Sequence, residues 1–408
     1  MPPWMWAWMK RSGQVLGMPV GSVLFAFLIG FGVVAATGGN PVVAYQDLLC
    51  GGFGLFCTGT VSPSYQISET IVFTIPLILA GLAVATGFRG GLFNIGAEGQ
   101  LIMGAIVTTV IGIQFASMPG IILLPLVLIA GTAAGALWAG IVGVLKAYTG
   151  AHEVVTTIML NYTAQFFLQY LIVGGPLQKA GQSSATAPIG KGAQLPHILP
   201  STGTFFGLPG SVYRAHWGIL VALLAAVVFS FLIRRTSLGY EIRAIGQSQR
   251  AARYAGVNLR RTIIITMLIS GAFAGLAGAV QIAGIRHNLT DIYMPDSTGF
   301  DAIAVALLGQ NTATGVVLSA ILFGALHVGG QYMQSDANVS ANLVSILQAL
   351  ILFSIAANFL RGLRLRLPSF TSRPAGPTEL EAATSAATTV PDSAPAVDFG
   401  SGAGGRTE

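Results

Sequence analysis

The sequence is short of charge. Only 8% of its 408 residues are Asp, Glu, Lys or Arg, against 53% hydrophobic, where soluble domains carry about 25% charged residues. So few charges cannot screen so much apolar surface, and a mean hydropathy of +0.73 excludes a soluble globular chain. Cysteine is nearly absent too. Cys50 and Cys57, in CGGFGLFC, are the only two. They are too few for a zinc site; a small disulfide in an external loop and two unpaired thiols both fit. The five histidines, at 152, 197, 216, 287 and 327, are scattered, and no G-x-x-x-x-G-K-[ST], HExxH or GxSxG pattern occurs. Phosphate-loop nucleotide binding and the zinc-peptidase and serine-hydrolase motifs are thereby excluded. No catalytic centre, cofactor or metal site is expected. Any energy source other than an ion gradient must come from another polypeptide.

What is present is a series of long apolar runs. A crossing needs roughly 20 apolar residues, and candidates lie at 18–37, 70–88, 91–113, 119–145, 154–174, 216–233, 262–284, 294–309, 314–333 and 342–360. The expected fold is therefore an all-α integral membrane protein, a polytopic bundle of about ten transmembrane helices with both termini cytoplasmic. Charge bias supports this count. With residues 1–17 inside, only Lys179, Lys191, Arg214 and Arg286 fall outside, and every other Lys and Arg falls inside, as the positive-inside rule requires. The eighth run is short and contains Asp301. It is expected to cross as a broken helix near the centre, supported by its neighbours, because a re-entrant hairpin would put the arginines after Leu360 outside. Trp4, Trp6 and Trp8 suit an interfacial N-terminus. Residues 18–360 are expected to form the transmembrane domain, interrupted by an external loop at 175–215 and a cytoplasmic loop at 234–261. The Ala-, Ser-, Thr-, Pro- and Gly-rich tail, 361–408, is expected to be disordered.

Polar residues inside apolar runs face the bundle interior or a wet cavity. GLFNIGAEGQLIMGA (91–105) carries Asn94, Glu98 and Gln100 among glycines. Asn94 and Glu98, four apart, would share one face of a loosened helix. HEVVTTIMLNYTAQF sets Glu153, Thr157 and Asn161 at i, i+4 and i+8, and GFDAIAVALLGQNTATG brackets the eighth run with Asp301 and Gln310. For Asn94, Asn161 and Gln310, interhelical hydrogen bonding and lining of a substrate path fit equally. For Glu98 and Asp301 the path reading is favoured, a protonated structural Glu being the alternative. The pairs Gly131/Gly135 and Gly271/Gly275 read as close packing within one chain.

The internal loop RRTSLGYEIRAIGQSQRAARYAGVNLRR holds seven arginines. Ser248 is placed to cap a short helix of about eight residues, with Gly256 to end it and alanines at 251, 252 and 255 leaving a smooth surface. Such a basic knob suits docking into a groove on a cytoplasmic partner.

FNIGAEGQLIMGA, EVVTTIMLNY, LGYEIRAIGQSQRAARYAGVN and GFDAIAVALLGQNTATG, in this order, resemble the permease subunits of bacterial ABC importers. The family is the one shared by simple-sugar, branched-chain amino-acid and nucleoside permeases, and EVVTTIMLNY is most similar to its nucleoside branch. The resemblance covers roughly residues 65–360. It implies a multi-pass protein of the bacterial plasma membrane that works with a cytoplasmic ATP-binding subunit dimer, a second and different permease chain, and an external substrate-binding lipoprotein. It also implies ATPase coupling through the segment that includes Glu241, Arg243, Gly246, Ala251, Ala252 and Gly256. Asn94, Glu98, Gln100, Asn161, Asp301 and Gln310 would then lie on the substrate path. The binding protein would dock at the 175–215 loop. A simple-sugar permease is the first alternative, and an ion-coupled secondary transporter or a passive channel lies further off.

Overall fold

The computed structural model describes residues 3–57, 62–181, 184–199, 203–206, 208–290, 298–336, 339–340 and 342–362. Residues 1–359 form one compact unit, and residues 360–408 group separately. The expected disordered tail lies outside the described residues except for Arg361 and Gly362, which end the last helix.

Among the described residues the regular structure is helical apart from one short hairpin, β1 (Thr204–Phe205) with β2 (Leu208–Pro209). Chain order gives α1 (Pro3–Ala36), α2 (Pro41–Phe53), α3 (Pro63–Arg89), α4 (Ala97–Gln114), α5 (Gly120–Thr149), α6 (Glu153–Ile172) and α7 (Gly218–Arg235). Then follow α8 (Ser237–Gln247), α9 (Gln249–Tyr254), α10 (Leu259–Gln281), α11 (Thr298–Leu308), α12 (Ala313–Asp336) and α13 (Asn342–Gly362). A π-helical turn, Ile282–Arg286, extends α10. Among the described residues six helices are long and apolar enough to cross a membrane: α3, α4, α5, α7, α10 with its π turn, and α12. These make the protein an all-α membrane protein.

The core is built on α3 and α10. Both are buried over most of their length, whereas α5 and α7 turn large apolar side chains such as Ile121, Leu137, Leu224 and Val227 outward, as lipid-facing helices do. The two glycine pairs seat α5 on α10. A Cβ added to Gly135 would lie 2.5 Å from Gly271 O, and one added to Gly275 would lie 2.5 Å from Gly131 O. The backbones touch, so the pairs mark packing within the chain, as read from the sequence.

Several elements differ from the expectations. α2 lies outside every expected span. It is capped by Asn40, whose Oδ1 accepts from Val42 N at 3.0 Å, starts at Pro41 and stops at Gly54 with φ 67°. It packs on α12 by backbone approach, with Gly52 against Ala325. Cys50, near its end, is disulfide-bonded to Cys57, which resolves the two readings of that pair.

The run at 91–113 is not one helix. Residues 90–96 are non-helical and α4 begins at Ala97, so Asn94 and Glu98 do not share a helix face. Gly91 takes φ 67°, and Asn94 Oδ1 accepts from Gly96 N at 2.9 Å. That local bond competes with the helix, as Asn side chains commonly do. Among the described residues the eighth run contributes α11, eleven residues long. At 1.5 Å per residue it spans about 16 Å, half a bilayer core. The loop expected to hold one short helix holds two, α8 and α9.

Candidate functional site

The polar residues of 94–100 form a buried joint between helices. Asn94 and Gln100 exchange two hydrogen bonds, each 3.0 Å, and Asn94 Nδ2 also donates to Ser270 Oγ on α10 at 2.8 Å. Ser270 in turn donates to Ala83 O on α3 at 2.6 Å. Asn161 on α6 accepts from Gly99 N at 2.8 Å and donates to Ile95 O at 2.9 Å. Thr157, one turn before it, is also buried. Asn94, Gln100 and Asn161 thus brace the non-helical 90–96 segment against α3, α6 and α10, meeting backbone groups that α4 leaves unpaired at its start.

Glu98 is 8% exposed, and its Oε2 accepts from Gly299 N at 2.7 Å. Its carboxyl therefore stands in the first turn of its own helix and at the first turn of α11, where free N–H groups favour negative charge. Gly299 has no room for a side chain, since a Cβ there would lie 2.5 Å from Glu98 Oε2.

Three residues beyond Thr298, Asp301 opens into a cavity of about 260 Å³. Small-molecule sites run from about 300 Å³ upward, so this space suits a compact ligand. Its walls come from α3 (Phe73, Pro76), the end of α10 (Gln281, Arg286), α11 (Thr298, Asp301) and α12 (Phe323, His327), with Arg214 from the loop before α7. The Phe73 and His327 rings stack at 4.4 Å. Arg214 pairs with Glu69 at 3.1 Å, and His327 shares a 3.1 Å hydrogen bond with Gln331. Aromatic faces, a carboxyl and an amide together can hold a ring and its hydroxyl groups.

Sequence reasoning brought Asp301 forward but missed Phe73, Gln281, Arg214 and His327. His327 was legible only as a lone titratable residue in the apolar run FGALHVGG. Gln310 is elsewhere. It and Asn311 adopt φ 52° and 53° in the turn after α11, where their carbonyls accept from Arg89 at 3.5 and 2.9 Å.

The arginine-rich loop meets the joint from below. α8 is capped by Thr236, whose Oγ1 accepts from Gly239 N at 3.0 Å. Glu241 accepts from Thr262 Oγ1 on α10 at 2.9 Å, and Arg243 donates to Ile233 O on α7 at 2.7 Å. Gly246 lies against the turn before the joint; a Cβ on Gly91 would be 3.0 Å from Gly246 Cα. Ser248 caps α9 and Gly256, at φ 82°, follows its end. Ala252 is buried, while Ala251, Tyr254 and Gly256 face outward.

A family profile described as "Branched-chain amino acid transport system / permease component" matches residues 66–356. The chain belongs to this permease family. The match takes in everything from α3 into α13, and α1 and α2 precede it. The permease is 40% identical over 350 residues to the guanosine ABC transporter permease protein NupP of Bacillus subtilis, covering 86% of this chain and 95% of that one. It is 37% identical over 352 residues to the glucose ABC transporter permease protein TsgB13 of Haloferax volcanii, covering 86% and 89%. With the nucleoside ABC transporter permease protein NupB of Lactococcus lactis it shares 33% over 363 residues, covering 86% and 93%. As a permease it is an integral membrane transport component rather than an enzyme.

Proposed function

We propose that this chain forms the translocation path of an ATP-driven nucleoside importer. The reading rests on one observation above the rest: relatives at 40% and 33% identity over most of the chain are named as guanosine and nucleoside permeases. The cavity at Asp301 agrees with it, offering the Phe73 and His327 rings to a base and Asp301 and Gln281 to hydroxyl groups. The glucose permease among the relatives makes a simple sugar the second reading.

The partners are an ATP-binding subunit pair, an external substrate-binding protein and a second, different permease. Ten crossings with cytoplasmic termini fit this arrangement, with α11 completing a broken eighth crossing. The Cys50–Cys57 disulfide then lies outside, where oxidation is sustained, and α8 and α9 lie inside against the ATPase. Movement of the α8–α9 knob reaches the Arg89–Gly91 turn through Gly246, passes to the joint at Asn94 and Gln100, and reaches α11 through Glu98. A chain of packed contacts of this kind can relay domain shifts.

Uptake of labelled guanosine in cells lacking and re-expressing the chain tests this. The expected result is uptake lost on ATP depletion, resistant to ionophore and not competed by excess ribose. Uptake abolished by ionophore with ATP intact would replace the proposal with an ion-coupled transporter; competition by ribose would favour the sugar reading.

A further inference from the structure

A groove of about 700 Å³ runs between α7 and the start of α12, away from the Asp301 cavity. Leu223, Val227, Phe231 and Leu318 line it and are themselves exposed. Arg234 and Arg235, in the last turn of α7, also line it. From Leu223 to Arg235 is about 18 Å of helix, close to the roughly 15 Å depth of one leaflet's hydrocarbon.

Among the described residues the arginines at its end have no acidic partner. Lys146–Glu153 and Arg214–Glu69 pair elsewhere, at 2.7 and 3.1 Å. Arg234 stands within electrostatic range of Arg89, so positive charge is concentrated there. A second groove of about 580 Å³, lined by Leu124, Leu128, Ile129, Val221 and Leu276, has no charged residue. The two differ mainly in what stands at their ends.

We propose that the α7–α12 groove binds an anionic glycerophospholipid of the adjoining leaflet, its phosphate at Arg234 and Arg235 and an acyl chain along α7. Basic pockets between membrane helices on the side of excess Lys and Arg take such headgroups, and guanidinium groups match phosphate oxygens in pairs. The site requires only that the chain be embedded in a bilayer. It is independent of what the permease carries.

The test uses the full-length chain purified in detergent. Phosphatidylglycerol and phosphatidylcholine with identical acyl chains are titrated in mixed micelles, and bound lipid is read by native mass spectrometry. Phosphatidylglycerol should bind about tenfold or more tightly than phosphatidylcholine. Arg234→Gln with Arg235→Gln should bring the two lipids within about twofold. Val227→Trp, which fills the groove and leaves both arginines, should weaken both lipids, and glycerol phosphate alone should not compete. Equal binding by the wild type, or a preference that survives the double substitution, would overturn the site. So would disulfide cross-linking of Val227→Cys to another permease chain in membranes, which would make the groove a protein interface. Should the double variant fail to fold, the wild-type ratio and Val227→Trp still decide.

Discussion

The carboxyl of Glu98 accepts the backbone N–H of Gly299 at 2.7 Å, so a residue in the first turn of α4 also caps the first turn of α11. Loss of such a cap costs about 0.5–2 kcal/mol. Glu98→Ala should lower the melting temperature of the purified protein and its accumulation in membranes, while Glu98→Gln, which keeps an acceptor, should be milder. A Glu98→Ala protein with wild-type melting and no uptake would instead place the carboxyl on the substrate itself.

Asn94 and Gln100 act as one unit. Asn94→Ala takes both bonds from the buried Gln100 amide, a loss of about 1–3 kcal/mol, and Gln100→Ala leaves Asn94 its bonds to Ser270 and Gly96, whereas the double substitution removes both ends of the pair. Chemical denaturation of the four proteins should give a coupling of about 0.5–3 kcal/mol. Strict additivity would mean that the two amides do not depend on each other.

Gly246→Ala should uncouple the permease. The added methyl collides with the Arg89 carbonyl, which cannot withdraw without moving the Arg89–Gly91 turn. Uptake should fall at least tenfold, by the effective-positioning arguments that apply to displaced functional groups, while the ATP-binding subunits still co-purify. Full transport by this variant would remove Gly246 from the relay.

Phe73→Ala and Asp301→Asn separate packing from polarity in the cavity. The first removes the ring under His327, and stacking of this kind is worth about 0.5–1.5 kcal/mol beyond area, a fewfold to tenfold effect on apparent affinity. Asp301→Asn should weaken transport of nucleosides with intact ribose hydroxyls more than that of their dideoxy analogues. Equal losses for both would assign the carboxyl elsewhere.

His216, in the loop just before α7, has a pKa lowered from 6.5 to about 4 by burial first and then by His197, His287 and Arg214. Its Nδ1 accepts from Gly218 N at 3.1 Å. The fold holds the neutral ring, so the unfolded chain takes up a proton first as pH falls. The stability it supports is complete above about pH 6.5 and is lost as pH drops toward about 4. Melting temperature should decline across that window, and His216→Phe should flatten the decline.

The membrane class, the six long spans and the packing glycines were readable because each depends on composition or short-range spacing alone. The caps of α9 were readable for the same reason, since Ser248 and Gly256 act on their own neighbours. α2 was passed over because thirteen residues with Gln46 and Asp47 inside do not resemble a span, although Asn40-Pro41 is a helix-start signal. The face shared by Asn94 and Glu98 failed where a side chain bonded its own loop in place of continuing a helix. Of the cavity only Asp301 could be read. Phe73, Gln281 and His327 lie on three helices, and only tertiary packing brings them together.

The glycine seam between α5 and α10 decides which part of the protein holds still. With backbone against backbone there are no interposed side chains to slide past one another or exchange rotamers. In the transport cycle proposed above the two helices would therefore serve as a fixed plate, a stator, and the freedom needed for opening would fall to the short pieces: the 90–96 segment, α8 and the half-length α11.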